Sequence, residues 1–487
     1  MSQPTTFMRF ASPNEHRTIS REDLGFYNAL VIAAVYEFGS EEIDINLAQT
    51  FIPPLKHCIE KYPFLSVVVT DKHTDKPAYE AVSSIYLEDH VSIIDEGEAS
   101  SGGETATIQK VLSPILDRPW PAGIPPWRIV VLPLASPDDF TVTRCFIAFA
   151  FSHTLGDGMV GLAFHRTFLD AWQQMTRTDE KESFLVTPPT RTLPAPFDTP
   201  KRLPISWSFL LGPLISVYLP KFLVEFLGLR TAASTVDAGT WTGSRIFFDS
   251  ASAHNSRVKI LEIEAPLVQN ALRMSRSHET KLTAMVHQMI IRALSKAIPN
   301  RDITNFVSGT AVDMRGSIGT PGYTWGLFVS GHYEVHLRLL DVGGPVLSDE
   351  MWAAASLMTK KLAECGTRLH DQAIGLLRYA PSIRKWTQGK IGHRRDCSYE
   401  LSNLLAFDGV GSDADPNKCR ISKMLFTQPG NVLSAPLVFN LISVKGGSLM
   451  FTVSWQAGAL DVPVEAEMPL VDEICSSLRA DFDALRD

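Results

Sequence analysis

The chain has 487 residues, 45% of them hydrophobic and 20% charged, so it can bury a large core, and disorder is excluded for most of its length. Forty-five Lys plus Arg against 53 Asp plus Glu leave a net charge of −8, a sign that repels phosphate backbones, and nucleic acid is not expected as a partner. Six cysteines with no C-x-x-C pair speak against a disulfide framework or a structural zinc site; they read as reduced thiols, and no metal is expected.

Residues 1–22 are polar and lack the apolar core of a secretory signal, which predicts a cytoplasmic protein. A first block runs from Phe26 to about Met175. Within it Leu47–Tyr62 has helical periodicity and then gives way, past Pro63, to a β-branched strand ending at Thr70. Ile124–Leu134 and Cys145–Phe151 read as strands. The second is apolar at every position and should therefore be central and buried on both faces. Gly161–Met175 reads as an amphipathic helix. Six prolines between Thr187 and Pro204 forbid a helix or a central strand and mark an extended connection.

Leu203–Leu229 follows, and its first 18 residues carry no charge. Gly212, Pro213 and Pro220 weaken a membrane span, leaving buried helices between domains or an element at a membrane surface or along a channel. The second block has a strand at Val258–Ile263, a helix at Thr283–Ala297 behind a threonine cap, and a strand at Ile303–Ala311 running into Val312-Asp313-Met314-Arg315. Strands at Leu437–Val444 and Leu449–Trp455 precede a closing helix at Pro463–Leu485. This order predicts two α/β domains, 1–186 and 236–487, joined by a Pro-rich and apolar segment at 187–235.

The stretch that carries chemistry is Phe149-Ala-Phe-Ser-His-Thr-Leu-Gly-Asp-Gly-Met-Val-Gly161. A buried strand delivers Ser152 and His153 at its end, and the chain then turns into a helix through Gly156 and Gly158. A histidine there can serve as a general base; equally, it can be a satisfied structural histidine, and Asp157 can be a helix cap. The same letters fit G-x-G-x-x-G, but the first glycine comes five residues after Phe151, and Thr176–Ser183 offers no apolar second strand ending in an acid. Dinucleotide binding is therefore rejected. His332 and His336 lie four apart on a strand-like stretch, about 13 Å apart on one face, too far for a metal pair.

The H-x-x-x-D-G string, in the order strand, motif, helix, resembles the coenzyme A-dependent acyltransferases that include hydroxycinnamoyl-type transferases, fungal alcohol acetyltransferases, chloramphenicol acetyltransferase and peptide-synthetase condensation domains. Other segments match in order. Leu55–Leu65 resembles the family's first helix and its Pro-x-Leu turn, Pro125-Pro126-Trp127-Arg128 its P-x-W-R strand, Ala311–Arg315 its V-D-x-R segment, and Ser402-Asn403-Leu404 the fungal S-N-L segment. Two features depart from the pattern. The plant branch's D-F-G-W-G is absent, with Phe426–Gly430 in its place, and Leu405 stands where a glycine often follows S-N-L. Both favour the fungal alcohol acetyltransferase branch.

The resemblance implies two chloramphenicol acetyltransferase-like domains, each a mixed sheet with helices, with a tunnel crossing their interface near His153. It assigns His153, Asp157 and Ser402 to the catalytic set: His153 as base, Asp157 as a carboxylate bonded to Arg315, and Ser402 as an oxyanion donor, unless Ser402 is a turn residue and Arg315 a surface ion pair. Gly158 would leave room for substrate, and the Asn403 amide would help at the oxyanion or substrate. The implied reaction moves an acyl group, acetyl by the fungal branch, from coenzyme A to a hydroxyl of a small hydrophobic alcohol, or to an amine, with no bound cofactor and no covalent intermediate. A condensation or cyclisation catalyst using a carrier-bound thioester, and a non-catalytic binding protein on the same fold, remain open. Lys390, His393, Arg394 and Arg395 form a basic cluster that could meet coenzyme A phosphates. A monomer is expected, cytoplasmic or peripheral to a membrane through 203–229.

Overall fold

The computed structural model describes residues 4–39, 43–94, 103–135, 142–174, 182–211, 236–250, 255–410 and 418–485. Strand β1 (Thr5–Phe10) and helix α1 (Pro13–Asp23) lead into β2 (Leu30–Phe38), α2 (Ile52–Lys61), β3 (Val67–Thr70) and β4 (Ala78–Val82). Then come β5 (Ile85–Tyr86), β6 (Val91–Ile93), α3 (Gly103–Asp117), β7 (Trp127–Leu134), β8 (Thr143–Phe151), α4 (Gly158–Gln174) and β9 (Leu185–Val186). The second half opens with β10 (Ser256–Ile263), α5 (Ala265–Ser277), α6 (Leu282–Ala297), β11 (Asn305–Asp313) and β12 (Val329–Leu337). It continues with α7 (Asp349–Thr367), α8 (Ile383–Gln388), β13 (Tyr399–Phe407), β14 (Cys419–Thr427), β15 (Leu437–Val444), β16 (Leu449–Gln456) and α9 (Val464–Ala484).

The strands form a five-stranded sheet in the order β14-β2-β8-β7-β6 and a six-stranded sheet in the order β10-β16-β15-β13-β11-β12, with three- and two-stranded sheets beside the first. Both large sheets mix parallel and antiparallel pairs. This is the expected α/β class. The seven apolar residues from Cys145 to Phe151 are buried, and β8 lies between β2 and β7, with Phe151 opposite Leu30 and Trp127. Helix α4 packs closely on this sheet: a Cβ on Gly161 would stand 2.4 Å from Cγ1 of Ile32. The third glycine of the G-x-G-x-x-G string therefore serves helix-to-sheet contact.

Several elements differ from the sequence reading. Strand β14 belongs by sequence to the second block, yet it pairs with β2 at the edge of the first sheet, so the 1–186 and 236–487 ranges do not each own one sheet. Cys419, Ile421 and Met424–Thr427 are buried there. Helix α6 starts at Leu282 behind Lys281, with no side-chain cap; Thr283 instead accepts a hydrogen bond from Asn403 (3.0 Å). The Pro-rich connection is extended but not loose. Phe197 and Leu203 are buried with Met314 and Phe328, and Asp198 accepts from the Asn14 amide at 2.8 Å. In the apolar segment, residues 207–211 form a short helical turn with Trp207 exposed; residues 212–229 lie outside the described part. Among the described residues no helix is long and apolar enough to cross a membrane.

Leu405, at the position where a glycine was noted missing, has φ +64° at a bulge in the β13–β15 pairing and is largely exposed. A left-handed conformation costs an L-residue about 1–2 kcal/mol, and most for a β-branched one. Leu405→Gly should melt at or above wild type and Leu405→Val below it. Calorimetry that puts the glycine variant last would contradict the strain.

Candidate active site

Strand β8 ends at Phe151 and is followed by Ser152, whose hydroxyl donates to Glu22 of α1 and lies 2.8 Å from the Thr154 hydroxyl. Tyr79 donates to the Thr154 carbonyl (2.7 Å) and the Trp325 indole to that of Leu155 (2.8 Å), so two successive carbonyls of this tight turn are held by donors from other parts of the chain. Gly156 has φ +154°, and a Cβ there would stand 2.4 Å from Val160 and 3.0 Å from the Gly326 carbonyl. Only glycine fits.

His153 is half-buried in this turn, its Nδ1 2.8 Å from the Gly156 carbonyl oxygen. A carbonyl only accepts, so Nδ1 carries the proton and Nε2 keeps its lone pair. The Tyr27 ring lies 5.5 Å away and is held by a bond from its hydroxyl to Gln428 (2.9 Å), within the segment where D-F-G-W-G is missing. Burial, and then the positive charges of Arg17 and Arg21, push the pKa of His153 down to about 4. The imidazole is neutral throughout the physiological range.

Asp157 faces the other way. Its carboxylate takes two parallel bonds from Arg315 (2.9 and 3.0 Å), one from the Phe328 amide (2.8 Å) and one from the Met159 amide (3.1 Å). Both side chains are 1% exposed. Arg315 also donates to Asp313 (2.8 Å) and to the carbonyls of Thr324 (3.0 Å) and Gly326 (3.2 Å), and it lies over the Phe328 ring. Asp157 is thus both a cap of α4 and half of a buried bidentate pair that ties the His153 loop to the turn after β11. His153 is not among its partners. The alternative of Arg315 as a plain surface pair is excluded by its burial.

Strand β13 presents alternate residues to its two sides. Tyr399 and Leu401 enter the core of the second half, whereas Leu404 joins that of the first. Ser402 shares the parity of Glu400 and Leu404, is partly buried, and has no hydrogen-bond partner for its hydroxyl among the described residues. Asn403 falls on the opposite side. Its amide donates to Thr283 and its carbonyl accepts from the Leu405 amide (2.8 Å), so the carboxamide pins the bulge and is not available to an oxyanion. Gly158 also differs from expectation: a Cβ there would meet Leu404 Cδ2 at 2.8 Å, so the space it leaves is taken by Leu404, not by open volume.

The basic cluster is engaged elsewhere. Arg395 is buried and donates to the carbonyls of Ser244, Asn431 and Val432, Arg394 donates to Thr242 and two carbonyls, and Lys390 pairs with Asp396. These groups lace loops together and offer little to phosphates. His336 is bonded to Ser308 and His332 to Glu334, and no cluster among the described residues could hold a metal. Sequence reasoning missed α1 altogether, with Arg17 and Arg21 on the side near His153. Its mostly polar sequence hides the burial of Asn14, Glu15, Thr18 and Ser20, and the signal that could have found it is the Ser12–Glu15 capping box.

Burial depresses the pKa of His90, His153, His165 and His336 to about 4, and lowers that of His287 as well. Each binds its proton near pH 6.5 when unfolded but not when folded. Stability is therefore undiminished by these groups above pH 6.5 and falls as pH drops from 6.5 towards 4. Denaturant midpoints measured between pH 7 and 5 should show this decline. A flat profile would contradict it.

Comparison with known proteins agrees across the chain. The sequence profile of the alcohol acetyltransferase family matches residues 41–482. A probable alcohol acetyltransferase, FCK4, from Fusarium pseudograminearum is 24% identical over 416 residues, covering 82% of this chain and 80% of its own. Among solved structures, the TRI3 trichothecene 15-O-acetyltransferase of Fusarium sporotrichioides superposes with TM-score 0.64 at 12% identity, over 99% of this chain and 95% of its own. TRI101 of F. graminearum, complexed with ethyl coenzyme A, gives 0.56 at 12% identity, over 96% and 98%. The first condensation domain of the calcium-dependent antibiotic synthetase shares the fold as well, at 0.59 and 10% identity, over 100% and 98%.

Proposed function

Because the chain belongs to the alcohol acetyltransferase family, and so to the coenzyme A-dependent O-acyltransferases, we propose that it transfers an acetyl group from acetyl-coenzyme A to the hydroxyl of a small, largely apolar acceptor, with His153 as general base. The observation that carries this reading is the bond between Nδ1 and the Gly156 carbonyl, which leaves Nε2 unprotonated at the end of a rigid turn. Nε2 takes the acceptor's hydroxyl proton while the oxygen attacks the thioester carbonyl. The tetrahedral intermediate collapses, the C–S bond breaks, and the imidazolium returns the proton to the departing thiolate. Ser402, with its unengaged hydroxyl, supplies a donor to the oxyanion. Asp157 and Arg315 act through geometry, by fixing the loop that aims the imidazole.

The donor is tested without any knowledge of the acceptor. A ligand that binds only the folded state stabilises it by about 2.7 kcal/mol at a hundredfold its Kd. Acetyl-coenzyme A alone should therefore raise the melting temperature progressively, and mass spectrometry should find acetylated products from a panel of apolar alcohols. If instead coenzyme A produces no shift and product appears only from an acyl group tethered to a carrier protein, the protein is a condensation-type catalyst.

A further inference from the structure

Helix α1 brings two arginines to the catalytic turn. Arg17 and Arg21 are one helical turn apart, both partly buried, and neither is in an ion pair among the described residues. Arg17 donates through Nε to the Asn14 side chain (3.2 Å), and its terminal nitrogens have no partner among the described residues. Arg21 donates to Asn431 (3.0 Å) and lies 4.7 Å from the Tyr27 ring, which is itself 5.5 Å from the imidazole of His153; its Nε is buried and unpartnered. Glu400 and Asp198 act on Arg17 electrostatically without pairing with it, and the Asn431 carboxamide stands between Glu400 and Arg21, donating to Glu400 at 3.1 Å.

Two like charges partly withdrawn from water with no direct ion pair are unfavourable for folding, because burial penalises a charge unless it is paired. Some buried arginines of this fold are matched by an acid, as Arg315 is by Asp157, Arg292 by Asp481 and Arg9 by Glu15, and others, Arg395 and Arg128, donate their terminal nitrogens to backbone carbonyls; among the described residues the terminal nitrogens of Arg17 have neither kind of partner. A guanidinium pair left open beside a base is suited to a carboxylate, which can take two parallel bonds from a planar fork. The phosphates of coenzyme A lie a full pantetheine arm from the thioester carbon that the base serves, so an anion held beside His153 belongs to the acceptor or to the acyl group.

We propose that the preferred acceptor is a hydroxy acid whose carboxylate is held by Arg17 and Arg21 while its hydroxyl meets Nε2 of His153. This rests on the acyltransferase reading above and narrows it to an acceptor class. It also gives the arginines a second effect. Their charge adds to burial, the larger cause, in keeping the empty base unprotonated, and an arriving carboxylate offsets that charge, so that the imidazole becomes a stronger base once the acceptor is in place.

The test uses the full chain with ω-hydroxyhexanoate and ω-hydroxydecanoate, each against its methyl ester, with acetyl-coenzyme A as donor. Wild type should favour at least one acid over its ester in kcat/KM. Arg17→Gln should lower that acid-to-ester ratio on the order of tenfold to a hundredfold, mainly through KM, and Arg17→Lys should restore part of it. A merely structural arginine would lower acid and ester together. Binding is read separately from transfer: in His153→Ala, the favoured acid but not its ester should raise the melting temperature, and Arg17→Gln in that background should remove the shift. Equal use of acids and esters by wild type, or no shift from either acid, overturns the proposal, as does a preference for malonyl- over acetyl-coenzyme A that Arg17→Gln abolishes, which would place the anion on the donor. Absence of transfer to every acceptor while the acid still shifts the melting temperature would instead overturn the acyltransferase reading and leave the carboxylate site standing.

Discussion

Replacing His153 with alanine should lower turnover by a factor on the order of 10² to 10⁴ and leave the protein folded. The imidazole is half-buried, and its hydrogen bond to the Gly156 carbonyl closes a turn already held by Tyr79, Trp325 and Glu22. Removing it takes away proton transfer and little else. The pH dependence gives a second reading of the same group. With a pKa near 4 the free base is titrated only in acid, so kcat/KM should be level from neutrality down to about pH 5 and fall tenfold per unit below about 4. An alanine variant within a few-fold of wild type, with an unchanged circular dichroism spectrum, would show that another group takes the proton.

Breaking the Asp157–Arg315 pair should be the most destabilising single change near the site. Arg315→Ala leaves a carboxylate 1% exposed with only two backbone amides to hold it, and removing one partner of a buried ion pair costs about 3–5 kcal/mol. Asp157→Asn is milder, because the amide retains one acceptor oxygen for Arg315 while losing its charge. Activity should fall with stability in both, since the loop that carries His153 is tied to the second half through this pair. A double-mutant cycle in urea should return a coupling of about 0.5–3 kcal/mol. Additive effects would mean that the two side chains do not act as a unit, despite sitting at 2.9 Å.

What the sequence disclosed depended on how local the cause was. Strand β8 was legible because seven consecutive apolar residues can be accommodated only where both faces are covered. The Asp157–Arg315 pair was legible only through resemblance: nothing local links positions 158 residues apart. Asn403 and Gly158 were read too generously, because a motif names a residue but not the side of the strand or the neighbour that fills its space. Register settles the first, and Leu404 the second. Helix α1 escaped because its burial is polar. Its carboxylates at Glu15 and Glu22 take bonds from Arg9 and Ser152, and its Asn14 backbone amide donates to Asp198, partners that sequence periodicity cannot reveal.

The edge position of β14 bears on how the chain comes to be folded at all. Arg420 on β14 reaches Glu37 on β2, 383 positions earlier in the sequence, along a pairing that runs from Phe38 to Val31. As the chain leaves the ribosome, β2 must wait, with a nearly continuous apolar edge, until almost the whole protein has been made. Contacts of such long sequence separation form late, and an uncovered strand edge invites pairing with other chains in the meantime. A fragment ending before residue 236 therefore lacks the strand that closes its own sheet. Such a fragment should be recovered as aggregate, and supplying the missing half in trans should be what brings it into solution.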